Sequence, residues 1–230
     1  MSTENPDIIE YKRILAVDDH EMTTLGYKYI LEAAEFDDYK VIVDTCKTFE
    51  DAKSRIEQSA KLYCYDIFLL DIQLFGPEEK DARSGEDLGI LARKVAPDTK
   101  VVFMSSFGDA YRILNICKTT NPDGYLVKSE IDKLTLIAMV KKVLENPPYY
   151  TAIAMKALRN NAAYADMVSE QDKKLLYYLA KGVRVKELHE ILSVSAATIN
   201  SRKRHLKSIF GIEHGNDLAL IEQARERGFL

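Results

Sequence analysis

Short apolar runs alternate with segments of helical periodicity through the first half of the chain. The runs are almost wholly apolar, which is typical of parallel strands buried on both faces of a sheet. Strands joined through helices by right-handed crossovers form a three-layer, doubly wound α/β domain. The pattern therefore predicts a five-stranded parallel sheet, with strands over residues 13–17, 41–43, 66–70, 101–104 and 124–127.

A polar side chain stands directly after four of these runs. Asp18 and Asp19 follow the first strand, Asp71 the third, Ser105 the fourth and Lys128 the fifth. The carboxyl ends of parallel strands share one edge of the sheet, where functional groups of open α/β sheets gather. The pattern therefore predicts that these side chains converge on one site.

Each of these residues also has a less specific interpretation. Taken alone, Asp18-Asp19 is typical of a turn that ends a strand, and Lys128 is typical of a solvated surface lysine. Independent surface residues need not stand at four strand ends, so the joint pattern favours a site.

The second half of the chain has helical patterns without strand patterns. Pro147-Pro148 ends the preceding helix, because proline lacks the N–H that a helix needs. Residues 149–167 are rich in Ala and Asn and predict a partly helical linker. Four helices are predicted beyond it, beginning near residues 169, 186, 196 and 217. The domains are therefore expected at 1–147 and 168–230, joined by a linker over 148–167.

Bulk composition describes an ordinary globular protein. The chain has 230 residues, of which 47% are hydrophobic and 30% charged. Because no apolar run approaches the roughly 18 residues of a membrane helix and the N-terminus lacks a secretory signal, we expect a cytoplasmic protein without a membrane partner. Three scattered cysteines favour free thiols over disulfides or zinc. Acidic side chains predominate in 1–147 and basic ones in 148–230, which predicts different partners for the two halves.

Two sets of segments resemble known domains. Residues 14–20, 70–72, 104–106 and 124–128 resemble those of the flavodoxin-like receiver domain of response regulators. Residues 169–227 resemble the LuxR-type domain, an all-α four-helix domain with a helix-turn-helix. The whole chain thus resembles the NarL/FixJ family of two-component response regulators.

The resemblance implies an aspartyl-phosphate at Asp71. A carboxylate that attacks phosphorus faces negative oxygens, and a hard cation, usually Mg²⁺, offsets that repulsion. By resemblance, Asp71 is the nucleophile and also a metal ligand. Asp19 binds the metal directly, Asp18 through water, and Gln73 through its backbone carbonyl.

Three further residues receive roles by resemblance. Lys128 pairs with one phosphoryl oxygen and Ser105 donates a hydrogen bond to another. When Ser105 turns toward the phosphate, the ring of Tyr125 rotates inward and switches the neighbouring face. The alternative is that Tyr125 is simply packed, as strand tyrosines commonly are.

The segment after Asp71 departs from the family pattern. The spacing to Gly85 is longer than usual, and the proline that usually follows the nucleophile comes later, at Pro77. The charged insertion over 77–83 has two interpretations: a tolerated surface insertion, or an influence on kinase choice and phosphate hydrolysis.

The predicted third helix of the LuxR-type domain, over 196–210, is the recognition helix and is expected to lie in the major groove of DNA. Asn200, Ser201 and Arg204 are the candidates for base contacts. Five more residues are candidates for phosphate contacts: Lys186, Thr198, Arg202, Lys203 and Lys207. Arg202 stands where the family often has histidine. The alternative for the basic run over 202–205 is that it forms an ordinary helix face exposed to solvent.

The combined prediction is a non-enzymatic response regulator. A sensor histidine kinase phosphorylates Asp71, and phosphorylation controls binding of double-stranded promoter DNA and hence transcription. A homodimer is expected, with Leu218 and Ile221 as candidate contacts. One alternative is a phosphorylation-regulated protein-interaction module with weak or no DNA binding. Another is a metal-dependent phosphatase, which would need a second acid-base residue that the sequence does not supply.

Overall fold

The computed structural model describes residues 10–59, 63–74, 84–106 and 108–230. The chain divides into two compact units. The first contains the described residues from Glu10 to Ser106 together with Thr119–Thr151, and the second contains Gly108–Lys118 and Ala152–Leu230. The insertion expected at 77–83, with Pro77, lies outside the described residues.

The first unit contains a parallel sheet with strand order β2-β1-β3-β4-β5-β6. The strands are β1 (Glu10–Val17), β2 (Tyr39–Cys46), β3 (Ile67–Asp71), β4 (Lys100–Ser105), β5 (Gly124–Val127) and β6 (Tyr149–Tyr150). The helices between them are α1 (Glu21–Glu32), α2 (Phe49–Ser59), α3 (Gly85–Val95), α4 (Ala110–Thr120) and α5 (Lys133–Glu145). Most of α4 groups with the second unit.

The two faces of the sheet are covered by different helices. Ile14, Leu69 and Met104 pack on one face in a cluster that includes residues of α1 and α5. On the other face α3 packs closely, because a Cβ atom built on Gly89 would lie 2.4 Å from the ring of Phe103. The α/β class with a parallel sheet is therefore confirmed.

The predicted number of strands was wrong: the sheet has six, not five. The additional strand pairs with β5 in the register Gly124↔Tyr149 and Tyr125↔Tyr150. The backbone N–H of Val127 donates to Oγ1 of Thr151 at 3.1 Å. A strand of two residues directly after two prolines is too short to carry a periodicity, so the sequence pattern missed it.

The second unit contains five further helices around its own core. They are α6 (Ala152–Tyr164), α7 (Glu170–Ala180), α8 (Val185–Leu192), α9 (Ala196–Ile209) and α10 (Asp217–Glu226). Ser169, Ser195 and Asn216 cap α7, α9 and α10 with their side chains. Buried apolar residues of α7 to α10 and the segment after them form the core: Leu175, Leu176, Leu179, Leu188, Ile199, Leu206, Phe210, Leu220, Ala224 and Phe229.

Helix α6 is part of the second unit's packing. The ring of Tyr164 makes an edge contact with Phe210, their centroids 5.9 Å apart. The guanidinium of Arg227 lies 4.9 Å from the Tyr164 ring, and Nδ2 of Asn161 donates to the Arg227 carbonyl at 3.2 Å. The segment predicted as a partly helical linker thus contains a helix held by aromatic and polar contacts. Within the ranges described, no helix has the length and apolar character needed to span a bilayer.

Substitution of Thr151 tests the attachment of β6. Thr151→Val removes the hydroxyl and leaves the buried N–H of Val127 without its acceptor. We expect a loss of about 1–3 kcal/mol in the free energy of unfolding, measured by urea denaturation. Thr151→Ser keeps the oxygen and is the matched control. A Thr151→Val protein as stable as the Ser variant would contradict this role.

Candidate functional site

Three charged side chains meet at the carboxyl edge of the sheet. The ammonium of Lys128 donates to Oδ2 of Asp18 and to Oδ2 of Asp71, each at 2.7 Å. Asp18 follows β1, Asp71 ends β3 and Lys128 follows β5, so three strands supply the cluster. The Asp18 side chain is fully buried, and those of Asp71 and Lys128 are 4% and 19% exposed.

The electrostatic balance of this cluster is short of positive charge. Burial raises the pKa of Asp71, Asp18 adds to that rise, and Lys128 offsets it only in part. Burial acts to lower the pKa of Lys128, but its hydrogen bonds and attraction to Asp18 and Asp71 outweigh burial and raise it. One ammonium therefore serves two buried carboxylates, and the site favours an additional cation.

Asp19 and His20 extend the cluster toward solvent. Oδ1 of Asp19 lies 2.6 Å from Nδ1 of His20, and the backbone N–H of His20 donates to Oδ1 of Asp18 at 2.9 Å. Ligand atoms of these three residues lie within 4.8 Å of one another. The hydrogen bond that the Asp19 carboxylate accepts from the His20 ring raises the pKa of His20. Sequence reasoning missed His20, although its place directly after the acid pair was a signal.

A small hard cation fits these residues. Carboxylate oxygens are its preferred ligands, and the buried carboxylates of Asp18 and Asp71 share the ammonium of Lys128. Asp19 presents a partly exposed carboxylate beside Asp18. The backbone N–H of Gln73 donates to Oδ1 of Asp71 at 3.2 Å, which places Gln73 next to the same carboxylate.

Helix α3 fixes the backbone on which Asp71 is mounted. A Cβ atom built on Gly85 would lie 1.9 Å from the carbonyl oxygen of Asp71, so a side chain there would displace the site. The N–H of Gly85 donates to the carbonyl of Ile72 at 3.1 Å. The start of α3 therefore lies directly against the end of β3.

Ser105 and Tyr125 lie near this edge on β4 and β5. Ser105 ends β4, is buried, and pairs in register with Val127, the residue before Lys128. Tyr125 is fully buried and pairs with Phe103 and Tyr150. Both residues thus occupy strands that adjoin the charged cluster.

In the second unit, α9 presents an exposed row of polar side chains. Asn200, Ser201 and Arg204 are all exposed, and so is Lys186 on α8. Thr198 is also exposed, and its Oγ1 lies 2.9 Å from Oγ of Ser195 at the start of α9. These five residues are positioned on the surface of the α8–α9 pair.

Three cations of α9 have partners inside the second unit. Arg202 donates to Asp172 at 2.8 Å, and Lys203 lies 2.5 Å from Asp217. Lys207 donates to the carbonyl of Gly215 at 2.7 Å. Of the cations predicted to contact phosphates, Lys186 is therefore exposed, whereas the three on α9 are paired inside the second unit.

No family model matches the chain, but curated relatives match nearly all of it. The chain is 24% identical over 233 residues to the oxygen regulatory protein NreC of Staphylococcus carnosus, covering 95% of this chain and 99% of the relative. It is 27% identical over 205 residues to the response regulator protein VraR of Staphylococcus saprophyticus, covering 86% and 88%. These relatives match the chain over most of its length, and VraR is named a response regulator.

The fold of the chain is also found among solved structures. RcsB from Salmonella enterica serovar Typhimurium, bound to the rprA promoter with a phosphomimetic, is similar with a TM-score of 0.61 at 18% identity. The similarity covers 94% of this chain and 98% of the RcsB chain. The relatives NreC and VraR confirm the resemblance to response regulators that was drawn from the sequence.

The stability of the protein should reveal the charge imbalance at Asp71. Because the folded-state pKa of Asp71 is raised, the folded protein binds more protons than the unfolded one, and stability falls as the pH rises through that pKa. We expect Asp71→Asn, which cannot ionise, to be more stable than the unsubstituted protein at neutral pH without divalent cations. The difference should shrink below a pH of about 4, where unfolded aspartates are protonated.

Thermal denaturation of both proteins, from below a pH of about 4 to neutral pH, measures this difference in stability. The matched control is Asp98→Asn, which changes an exposed aspartate between α3 and β4. An Asp71→Asn protein that is less stable than the unsubstituted chain at neutral pH would contradict the assigned imbalance.

Proposed function

We propose that Asp71 accepts a phosphoryl group and that this event controls DNA binding by the C-terminal helices, and hence transcription. The observation that carries the proposal is the placement of the Lys128 ammonium between the carboxylates of Asp18 and Asp71. The names of NreC and VraR, which match nearly the whole chain, support it.

The residues of the site have distinct parts in the transfer. An oxygen of Asp71 forms the new bond to phosphorus while the donor's leaving group departs with its electron pair. The buried ammonium of Lys128 already donates to Asp71 and is suited to pair with a phosphoryl oxygen. Ser105, at the end of the neighbouring strand, is proposed to donate to another.

A divalent cation is part of the proposal. Asp19, Asp71, the carbonyl of Gln73 and, through water, Asp18 would hold Mg²⁺. Bound there, the ion would neutralise negative charge between the carboxylate and the incoming phosphoryl oxygens. The shortage of positive charge around Asp71 supports this assignment.

Two domains carry out the two parts of the function. We assign residues 1–147 to a flavodoxin-like receiver, 148–167 to a linker and 168–230 to a LuxR-type domain with a helix-turn-helix formed by α8 and α9. Rotation of Tyr125 after phosphorylation is the proposed switch. A sensor histidine kinase is the proposed phosphodonor, and the protein itself is proposed to act in the cytoplasm.

Recognition of DNA is assigned to the exposed row of α9. Arg204 and Asn200 carry the hydrogen-bonding groups that suit guanine and adenine edges in the major groove. Solved structures of RcsB include two dimers bound to two parallel DNAs. A homodimer through α10 is proposed here as well, because Leu218 is 58% exposed on that helix.

Phosphoryl labelling tests the proposed function. With Mg²⁺ and a radiolabelled small-molecule phosphodonor such as phosphoramidate, we expect the intact chain to take up no more than one phosphoryl group. Asp71→Asn should abolish uptake, because an amide at position 71 cannot form the acyl phosphate and the other carboxylate beside Lys128, that of Asp18, is fully buried. A chelator should have the same effect.

The matched control is again Asp98→Asn, which should label like the unsubstituted chain. Persistent stoichiometric labelling of Asp71→Asn would reject Asp71 as the acceptor. Continued turnover of a small phosphoester beyond one equivalent would instead favour the phosphatase alternative.

A further inference from the structure

The recognition helix α9 is tied to its neighbours by basic side chains on both flanks. Arg202 reaches the start of α7, whereas Lys203 and Lys207 reach the start of α10. We call these three residues the clamp cations. The side chain of Arg204, in the same basic run, is exposed.

The contact of Arg202 completes a buried capping box. Oδ2 of Asp172 accepts hydrogen bonds from the backbone N–H and the hydroxyl of Ser169 at the start of α7. Oδ1 of Asp172 accepts from Nη1 of Arg202 at 2.8 Å, and the other terminal nitrogen of Arg202 donates to Gln171. The Asp172 side chain is only 5% exposed, so its charge needs a fixed partner. Arg202 supplies that partner with a forked geometry that holds α9 against α7.

The opposite flank of α9 is held by two ammonium groups. Nζ of Lys203 lies 2.5 Å from Oδ2 of Asp217, and the Lys203 side chain is only 13% exposed. Nζ of Lys207 donates to the carbonyl of Gly215 at 2.7 Å and lies 3.8 Å from Oδ1 of Asp217. Both lysines therefore bind the segment that leads into α10, whose first turn is capped by Asn216.

We propose that the clamp cations are positioning residues that set the orientation of α9, and that they are not phosphate contacts. This inference rests on the proposed DNA-binding function and revises the sequence-based roles of Arg202, Lys203 and Lys207. Releasing Arg202 to a phosphate would leave Asp172 buried without its cation. The electrostatic contacts to DNA then fall to exposed cations, with Arg204 and Lys186 foremost.

Salt dependence separates a positioning residue from a phosphate contact. Each phosphate neutralised by a protein cation releases counterions and adds about 0.9 to the slope of log affinity against log salt concentration. A cation that stays paired inside the protein adds little to this slope. A positioning residue therefore changes affinity without changing the slope, whereas a phosphate contact changes both.

The test measures binding of the full-length protein to a mixed-sequence DNA duplex by fluorescence anisotropy, between about 50 and 200 mM salt. Arg202→Gln should weaken binding about threefold or more and leave the slope unchanged. Lys186→Gln, the control at an exposed candidate phosphate contact on α8, should lower the slope by about 0.9. Circular dichroism establishes that each variant is folded at the temperature used.

Two further variants strengthen the discrimination. Arg202→Lys keeps the positive charge but loses the two terminal nitrogens that donate to Asp172 and Gln171. If Arg202 is a positioning residue, the lysine variant should therefore regain little of the affinity lost in Arg202→Gln. If Arg202 contacts a phosphate, the lysine variant should regain most of that affinity. Lys203→Gln disturbs the other flank of α9, where the paired carboxylate of Asp217 is more exposed than that of Asp172. This variant should also weaken binding without changing the slope. It keeps the test decisive if Arg202→Gln does not fold.

The outcomes distinguish this inference from the proposed function. A slope that falls for Arg202→Gln or Lys203→Gln as much as for Lys186→Gln would overturn the clamp while leaving DNA binding intact. An unsubstituted chain without salt-dependent DNA binding would overturn the proposed function itself, and the clamp with it. That second outcome would favour the alternative of a phosphorylation-regulated protein-interaction module.

Discussion

Two buried carboxylates that share one ammonium are the constraint on which the molecule depends. Asp18 and Asp71 lie on adjacent strands, and Lys128 is the cation that makes their common burial tolerable. A parallel sheet brings them together because every strand ends at the same edge. The close approach of Gly85 to the Asp71 carbonyl then fixes the backbone at that edge. The remaining shortage of positive charge is the physical basis on which a divalent ion and a phosphoryl group are proposed at this site.

The second unit uses ion pairing for a different purpose. In the first unit charge is concentrated at the proposed phosphoacceptor, whereas Arg202 and Lys203 place charge at the beginnings of α7 and α10 and hold α9 in position. Both arrangements rest on the same physics, since a carboxylate removed from water requires a fixed cation. The exposed side chain of Arg204 is the one proposed for recognition. Under these proposals the basic run over 202–205 combines residues with structural and recognition roles.

Sequence reasoning succeeded where the local signal was strong. The range predicted for β5, 124–127, agrees with the structure, because a short apolar run that begins at Gly124 and is followed by Lys128 defines both ends of the strand. The sixth strand was missed because two residues after a proline pair carry no periodicity. The pairing of Arg202 with Asp172 was missed because the two residues lie 30 positions apart and only the packing of α9 on α7 brings them together.

The most direct test of the shared ammonium is the titration of Asp71 itself, followed through its carboxyl carbon by NMR in the metal-free protein. The pKa of Asp71 should lie above the ordinary aspartate value, rise further in Lys128→Met and fall when Mg²⁺ is added. An Asp71 that titrates at the ordinary value and is unaffected by Lys128→Met would contradict the account.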